Sequence, residues 1–352
     1  MNSPPDRPSP PRRRATLKDV AAALGVSPMT VSLSLRGDTQ IPPATRERVR
    51  AAADLLHYVP MASGRLLKSG RSGRIAILAS RIAHAFVGQV LAGVEQRTFE
   101  LGRYHNAILP FSTWSRSAEK DKALNEIVYG GLADALIMVS MHPDPAMVRS
   151  MAEHGMPLVL IEDRVRGCHS VRVDNVQGAA AAARRLIETG CRNIALVVGE
   201  LPKPGLEPNP TAVERREGFA AAFKAARRRQ DPDLLVDIGF YTFEEGRAAL
   251  DTLLDRCPRL DGVFCAAGDR VAMGLMERAR ERGLAIPGDL KVIGYDDLQG
   301  SQLLSPPLTT VRQPVEQMGA EALELAVQAL DGLLPRERHI MHQPTLVVRG
   351  TA

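Results

Sequence analysis

The chain has 352 residues, 45% hydrophobic and 24% charged, enough for two or three domains at about 150 residues each and ordinary for a water-soluble fold. No run approaches the ~18 consecutive apolar residues of a membrane span, and the opening MNSPPDRPSPPRRR lacks the apolar stretch of about 7 to 15 residues that marks a secretory signal. A cytoplasmic protein without membrane contact is expected. The net charge of +5 divides unevenly, with +7 on residues 1–73 and −2 on the remainder. A small basic segment ahead of a near-neutral body suits a nucleic-acid-binding module joined to a domain with another task.

Residues 1–14 mix prolines with Arg7, Arg12, Arg13 and Arg14 and cannot pack, so a disordered basic arm is expected there. From Thr16 the pattern turns helical. Leu17, Val20, Ala21 and Leu24 recur on one face, Thr16 and Asp19 stand as a capping box, and Gly25 stops the helix. Ser27 is placed as the next N-cap with Pro28 at the first helical position, and this second helix runs through Leu35. Val31 and Leu35 are expected inward, leaving Pro28, Met29, Ser32, Leu33 and Arg36 outward. A third helix packs Val49, Ala53 and Leu56 against the pair. Helix, Gly-containing turn and helix make a helix-turn-helix, with Ser27, Thr30 and Ser32 suited to phosphate contact. The bland alternative is any small three-helix bundle.

TLKDVAAALGVSPMTVSLSLRG, followed by TRERV, AADLLHYVP and GRLLKSG, resembles the headpiece of the lactose-repressor (LacI/GalR) family of bacterial transcription regulators. The resemblance continues through VRVDNVQGA, RREGF, GDRVAMG, VIGYDD and PPLTTVRQP, so it covers nearly everything from Thr16 to Gly350. It implies that Pro28, Met29 and Leu33 occupy base-contacting positions of a helix in the major groove. Leu33 departs from the Arg common there. It lacks the bidentate contact to guanine, and Met29 and Leu33 either touch thymine methyls or pack on a neighbouring helix. The resemblance also makes residues 61–73 a hinge helix that orders on DNA, with Arg65 and Lys68 beside Leu67, the wedge that enters a minor-groove step. Met61 replaces a common Asn, and Gly64 weakens helix formation by about 0.5 to 1 kcal/mol relative to Ala.

From Arg74 short apolar runs alternate with helical stretches: RIAILAS, LADALIMVS and PLVLIE, then RNIALVVGE, LDGVFCAAG and LKVIGYD. This is an α/β pattern of parallel sheets covered by helices, in two similar halves whose crevice lies at the carboxyl ends of the strands. LADALIMVS and LDGVFCAAG read as equivalent strands. The resemblance implies a two-lobed, periplasmic-binding-protein-like body. The expected division is 1–14 arm, 15–60 headpiece, 61–73 hinge and 74–352 body, with an N-lobe of about 74–162 and 292–320 and a C-lobe of about 163–291 and 321–352. Ser80, His84, Glu162, Asp269 and Asp296 follow strand ends, and Arg215 opens the RREGF stretch. By resemblance, Arg215 and Asp296 hold polar groups of an effector; the alternative is an Arg–Asp ion pair that orients the cleft. Gly268 stands where the family has Asn, and Asp269 suits the start of the following helix.

No dinucleotide or phosphate loop, G-x-S-x-G or H-E-x-x-H occurs, and Cys168 and His169 are neighbours in sequence only, so no catalytic residues are expected. Cys168, Cys191, Cys257 and Cys265 lack metal-site spacing, and neither metal nor cofactor is expected. The reading is a repressor that binds operator DNA as a homodimer and responds to a sugar-like effector between its lobes. A dimer rather than a tetramer is expected, because no leucine heptad follows the last strand-like run. A DNA-binding protein with a ligand-independent cleft, and a sugar-binding transport protein, are the alternatives.

Overall fold

A computed structural model describes residues 15–58, 71–102, 108–114, 116–200 and 209–352. The arm, and the hinge residues Arg65, Leu67 and Lys68, lie outside the described residues. The chain divides into two compact units, residues 1–72 and 73–352.

Among the described residues, the first unit contains three helices, α1 (Leu17–Leu24), α2 (Pro28–Leu35) and α3 (Pro43–Leu55). Thr16 and Asp19 form the reciprocal capping box at α1, and Gly25 ends the helix in the left-handed conformation at φ 66°. Ser27 caps α2 by accepting from the Thr30 N–H at 3.0 Å. Val20, Ala21, Val31, Val49 and Ala53 are buried together, with Leu35 and Leu56 packed at the edge. Ser34, rather than Leu35, is the second fully buried residue of α2. Its position is opposite the face that carries Met29.

Among the described residues, the second unit holds two six-stranded sheets in the orders β11-β5-β4-β3-β1-β2 and β12-β10-β9-β8-β6-β7. The N-lobe sheet contains β1 (Ile75–Ala79), β2 (Ile108–Ser112), β3 (Ala135–Val139), β4 (Leu158–Ile161), β5 (His169–Val173) and β11 (His339–His342). The C-lobe sheet contains β6 (Ile194–Gly199), β7 (Leu235–Ile238), β8 (Gly262–Cys265), β9 (Lys291–Asp296), β10 (Thr309–Arg312) and β12 (Thr345–Val347). β3 and β8, the LADALIMVS and LDGVFCAAG runs, occupy the same place in the two orders. Among the described residues, every pairing is parallel except β10 with β12. Central strands buried on both faces read as unbroken apolar runs for that reason.

Helices cover both faces of each sheet. In the N-lobe, α4 (Ala85–Leu101) and α11 (Val315–Leu330) pack one face, while α5 (Ser117–Val128) and α6 (Pro145–Glu153) pack the other. In the C-lobe, α7 (Asn175–Glu188) and α8 (Pro210–Ala225) oppose α9 (Phe243–Arg256) and α10 (Asp269–Glu281).

The lobes are divided differently from the sequence expectation. Residues 169–173 belong to the N-lobe sheet, β9 and β10 to the C-lobe sheet, and α11 and β11 to the N-lobe. Among the described residues, the chain passes between sheets near Asp174, at Gln313–Pro314 and at Gln343–Pro344. A buried apolar strand has the same local pattern in either sheet, so its membership is decided by long-range pairing.

α4 and α11 meet through glycines: a Cβ on Gly93 would stand 1.8 Å from the Glu316 carbonyl oxygen, and one on Gly319 2.2 Å from that of Val90. Neither neighbour is a side chain that can swing away. Gly93→Ala should therefore destabilise the body by about 1–3 kcal/mol through forced helix separation. A urea midpoint unchanged from the parent would show that the helices can part freely.

Candidate functional site

Loops after β1, β3, β4, β6, β7, β8 and β9 converge on a cavity of about 250 Å³ between the sheets. Its lining includes Ser80, His84, Glu162, Arg215 and Asp296, five of the six residues expected there. Asp269 is the exception. Its carboxylate is fully buried and turned into the C-lobe, accepting from Ser301 Oγ at 2.5 Å, Thr310 Oγ1 at 2.6 Å and Leu298 N–H at 2.8 Å. It ties the 298–301 loop and β10 to α10 and does not line the cavity. Burial pushes its pKa up to about 6 against the pull of these donors.

Arg215 projects from the first half of α8 and is 7% exposed. Nε donates to Asn175 Oδ1 at 2.9 Å, Nη1 to the Ala266 carbonyl at 2.8 Å and Nη2 to Glu162 Oε1 at 3.2 Å. The guanidinium also stacks on Tyr295, 3.8 Å from the ring centroid, and the Tyr295 hydroxyl donates to the same Asn175 oxygen at 3.0 Å. The ion pair is thus with Glu162 of the N-lobe, and no Arg215–Asp296 pair forms. Glu162 also accepts from Ser140 Oγ. Its burial outweighs these partners and raises its carboxyl above the ordinary range. A second contact across the lobes, between Arg172 on β5 and Glu214 on α8, lies beside it.

Asp296 accepts from Gln313 Nε2 at 2.7 Å, and burial pushes its carboxyl up to about 8 although Arg215 pulls it down. Gly268 faces it at φ 109°, ψ 163°, a conformation open essentially to glycine alone. A Cβ there would fall 2.9 Å from Asp296 Oδ2, so this backbone excludes an Asn side chain. His84 is the N-cap of α4, its ring 5.8 Å from that of Tyr241 across the cleft. Burial, then the charges of Arg81 and Arg270, lower its pKa to about 4.

Tyr241 and Phe240, on the turn after β7, were not anticipated as lining residues. Tyr241 accepts from Asn209 Nδ2 at 2.8 Å, while Phe240 is 62% exposed. Ser140, Glu162, Tyr241 and Asp296 all hold positive φ without being glycine, a concentration of backbone strain at the cavity wall. Cys168, beside His169, is buried with its thiol pushed up to about 12, mainly by burial, which suits a packed thiol rather than a nucleophile.

On the headpiece, Ser27, Pro28, Met29 and Arg36 are exposed, and Thr30, Ser32 and Leu33 are half-buried. Met29 is 61% exposed, which leaves it uncovered by its own unit. Arg36 donates to Ser32 Oγ at 2.8 Å and to its carbonyl at 2.9 Å. Thr16 is exposed, but its hydroxyl is engaged with Asp19 at 2.7 Å.

A model of bacterial regulatory proteins of the lacI family matches residues 16–61, and a periplasmic binding protein-like domain matches 183–352. The HTH-type transcriptional regulator CelR of Thermobifida fusca is 34% identical over 350 residues, covering 96% of this chain and 98% of its own. This chain belongs to the LacI family of bacterial regulatory proteins. The HTH-type transcriptional repressor PurR of Erwinia tasmaniensis is 33% identical over 346 residues, covering 95% of this chain and 96% of its own. Among solved structures, a CelR–cellobiose complex matches at 32% identity and a TM-score of 0.70, covering 96% of this chain and 100% of that one. The lac repressor dimer bound to operator and the anti-inducer ONPF shares the fold, with a TM-score of 0.81 at 23% identity over 96% of this chain and 99% of that one. Family membership gives the transport-protein alternative no support.

In this LacI-family body, the raised Asp296 carboxyl makes stability depend on pH. The folded state keeps a proton that the unfolded chain releases at about pH 4, so the contribution is full below that and is lost as pH rises to about 8. Asp296→Asn should therefore gain in melting temperature over the parent progressively between pH 5 and about 8. A constant difference across that range would place the Asp296 pKa near its unfolded value.

Proposed function

We propose that this chain is a transcriptional repressor acting in the cytoplasm as a homodimer, whose operator affinity is set by a sugar-class molecule bound between the lobes. The observation that carries this reading is the joining, in one LacI-family chain, of a capped helix-turn-helix with an uncovered Met29 and an interlobe cavity walled by Arg215, Glu162, Asp296 and two aromatic rings. Carboxylates and guanidinium suit hydroxyl groups, and Tyr241 with Phe240 suits the apolar face of a sugar ring. The cellobiose bound by CelR supports a carbohydrate, and the operator-bound lac repressor dimer supports two-fold reading of a palindrome.

In this proposal Pro28, Met29 and Leu33 face base edges, with Met29 and Leu33 against thymine methyls. Ser27, Thr30, Ser32, Arg36 and Thr16 position the helix on phosphates. The hinge residues Arg65, Leu67 and Lys68 complete the interface, with Leu67 as the minor-groove wedge. Residues 1–14 remain a basic arm, and Ser80 and His84 join the effector contacts.

Deleting residues 1–72 should abolish operator binding measured by fluorescence anisotropy, and the parent should weaken steeply with salt. Operator affinity retained by the truncated body would overturn the assignment. Leu67→Ala should lower operator affinity and reduce DNA bending while sparing non-specific binding; equal bending, read by fluorescence transfer, would remove the wedge. Arg215→Ala should leave DNA binding in place and eliminate the effector response, because an effector acts only through its different affinities for two states.

A further inference from the structure

Arg81, in the loop between β1 and α4, lines the cavity with its Nε buried and no hydrogen-bond partner. No carboxylate among the described residues pairs with it, whereas Arg215, Arg172, Arg312 and Arg349 each meet one. Its guanidinium lies over the ring of Trp114, 5.4 Å from the centroid. The backbone N–H of Trp114 donates to the Ser80 carbonyl at 2.7 Å with φ at 55°, which anchors its main chain beside the loop while the side chain is 62% exposed. A guanidinium held face-on by an aromatic ring keeps its N–H edge available for a planar acceptor.

The same wall contains the start of α4. Its N-cap, His84, makes no side-chain hydrogen bond to the first turn, and Phe86 and Val87 of that turn line the cavity. The helix therefore presents the positive end of its dipole and its orphan N–H groups beside Arg81. The charge of Arg270, from α10 in the other lobe, also bears on His84. Of the lining carboxyls, Glu162 is paired with Arg215, Asp296 has its carboxyl pushed up to about 8 by burial, and Glu200 stands on the C-lobe wall beside Gly239. The cavity thus has a hydroxyl-binding pole at Glu162, Arg215 and Asp296 and a separate cationic pole at Arg81.

We propose that the ligand of this cleft is an anionic sugar, its carboxylate or phosphate seated between Arg81 and the first turn of α4 and its hydroxyls at the Glu162–Arg215–Asp296 pole. This rests on the cleft being the effector site. The buried Nε–H of Arg81 has no acceptor among the described residues, and a bidentate anion supplies one in the geometry that the fork presents.

Trp114 is the single tryptophan of the chain, so its emission reports on the Arg81 stack directly. The full chain, Arg81→Gln and Arg81→Lys are titrated at constant ionic strength with D-glucuronate, D-galacturonate, glucose 6-phosphate, glucose and cellobiose, with melting temperature followed in parallel. At least one anionic sugar should shift Trp114 emission saturably, and its affinity should fall about 10- to 100-fold in Arg81→Gln and less in Arg81→Lys. Comparing the uronates with glucose 6-phosphate separates a carboxylate from a phosphate. No saturable response to any anionic sugar at millimolar concentration overturns the proposal. A neutral sugar that raises the melting temperature equally in the parent and Arg81→Gln removes the anion while leaving the cleft as the effector site. If no sugar of either charge raises it, the effector-site reading fails as well.

Discussion

The body depends on one buried guanidinium. Arg215 joins α8 to the C-lobe strand ends through the Ala266 carbonyl, to the crossover residue Asn175, and to Glu162 in the N-lobe, with Tyr295 beneath it. An isolated buried charge is strongly unfavourable, so each of these partners is a condition for the others. Without Arg215, Glu162 keeps its burial and loses its counter-charge. The pair therefore serves specificity more than net stability: it permits one arrangement of the lobes and penalises those that separate the charges.

Ligand recognition is built on that frame. Ser140, Glu162, Tyr241 and Asp296 hold strained backbone at strand ends, where side chains must turn into the cleft rather than continue the pleat. Short connections between the sheets near Asp174, Gln313 and Gln343 are places where a few dihedrals can alter the interlobe angle while each sheet stays intact. A ligand that touches both walls binds the closed arrangement better than an open one. That difference is the free energy available for regulation.

Legibility in the sequence followed the range of the interaction. Caps and helical periods are local, and Thr16, Asp19, Gly25, Ser27 and Pro28 occupy the expected positions. Alternating apolar runs and helical stretches indicated parallel sheets, and strand ends indicated Ser80, Glu162 and Asp296. What failed was non-local. β9, and α11 beyond residue 320, were assigned to the wrong lobes because no residue in these runs records which sheet it joins. Asp269 follows a strand end as Asp296 does, yet Ser301 and Thr310 draw it into the lobe. Phe240 and Tyr241 follow LLVDIG, a half-buried edge strand whose weak apolar run did not announce β7. The buried Ser34 was missed because a small serine packs where the pattern suggested leucine.

The most direct measurement is a double-mutant cycle on Glu162 and Arg215. Glu162→Gln, Arg215→Gln and the double variant are unfolded in urea, with Trp114 emission following the body. Arg215→Gln alone should destabilise by about 3–5 kcal/mol, since it leaves a buried carboxylate unpaired. The double variant should be more stable than the two single losses predict, by at least about 1 kcal/mol. Effects that add within about 0.5 kcal/mol would mean that the two charges act independently and that the lobes are held by something else.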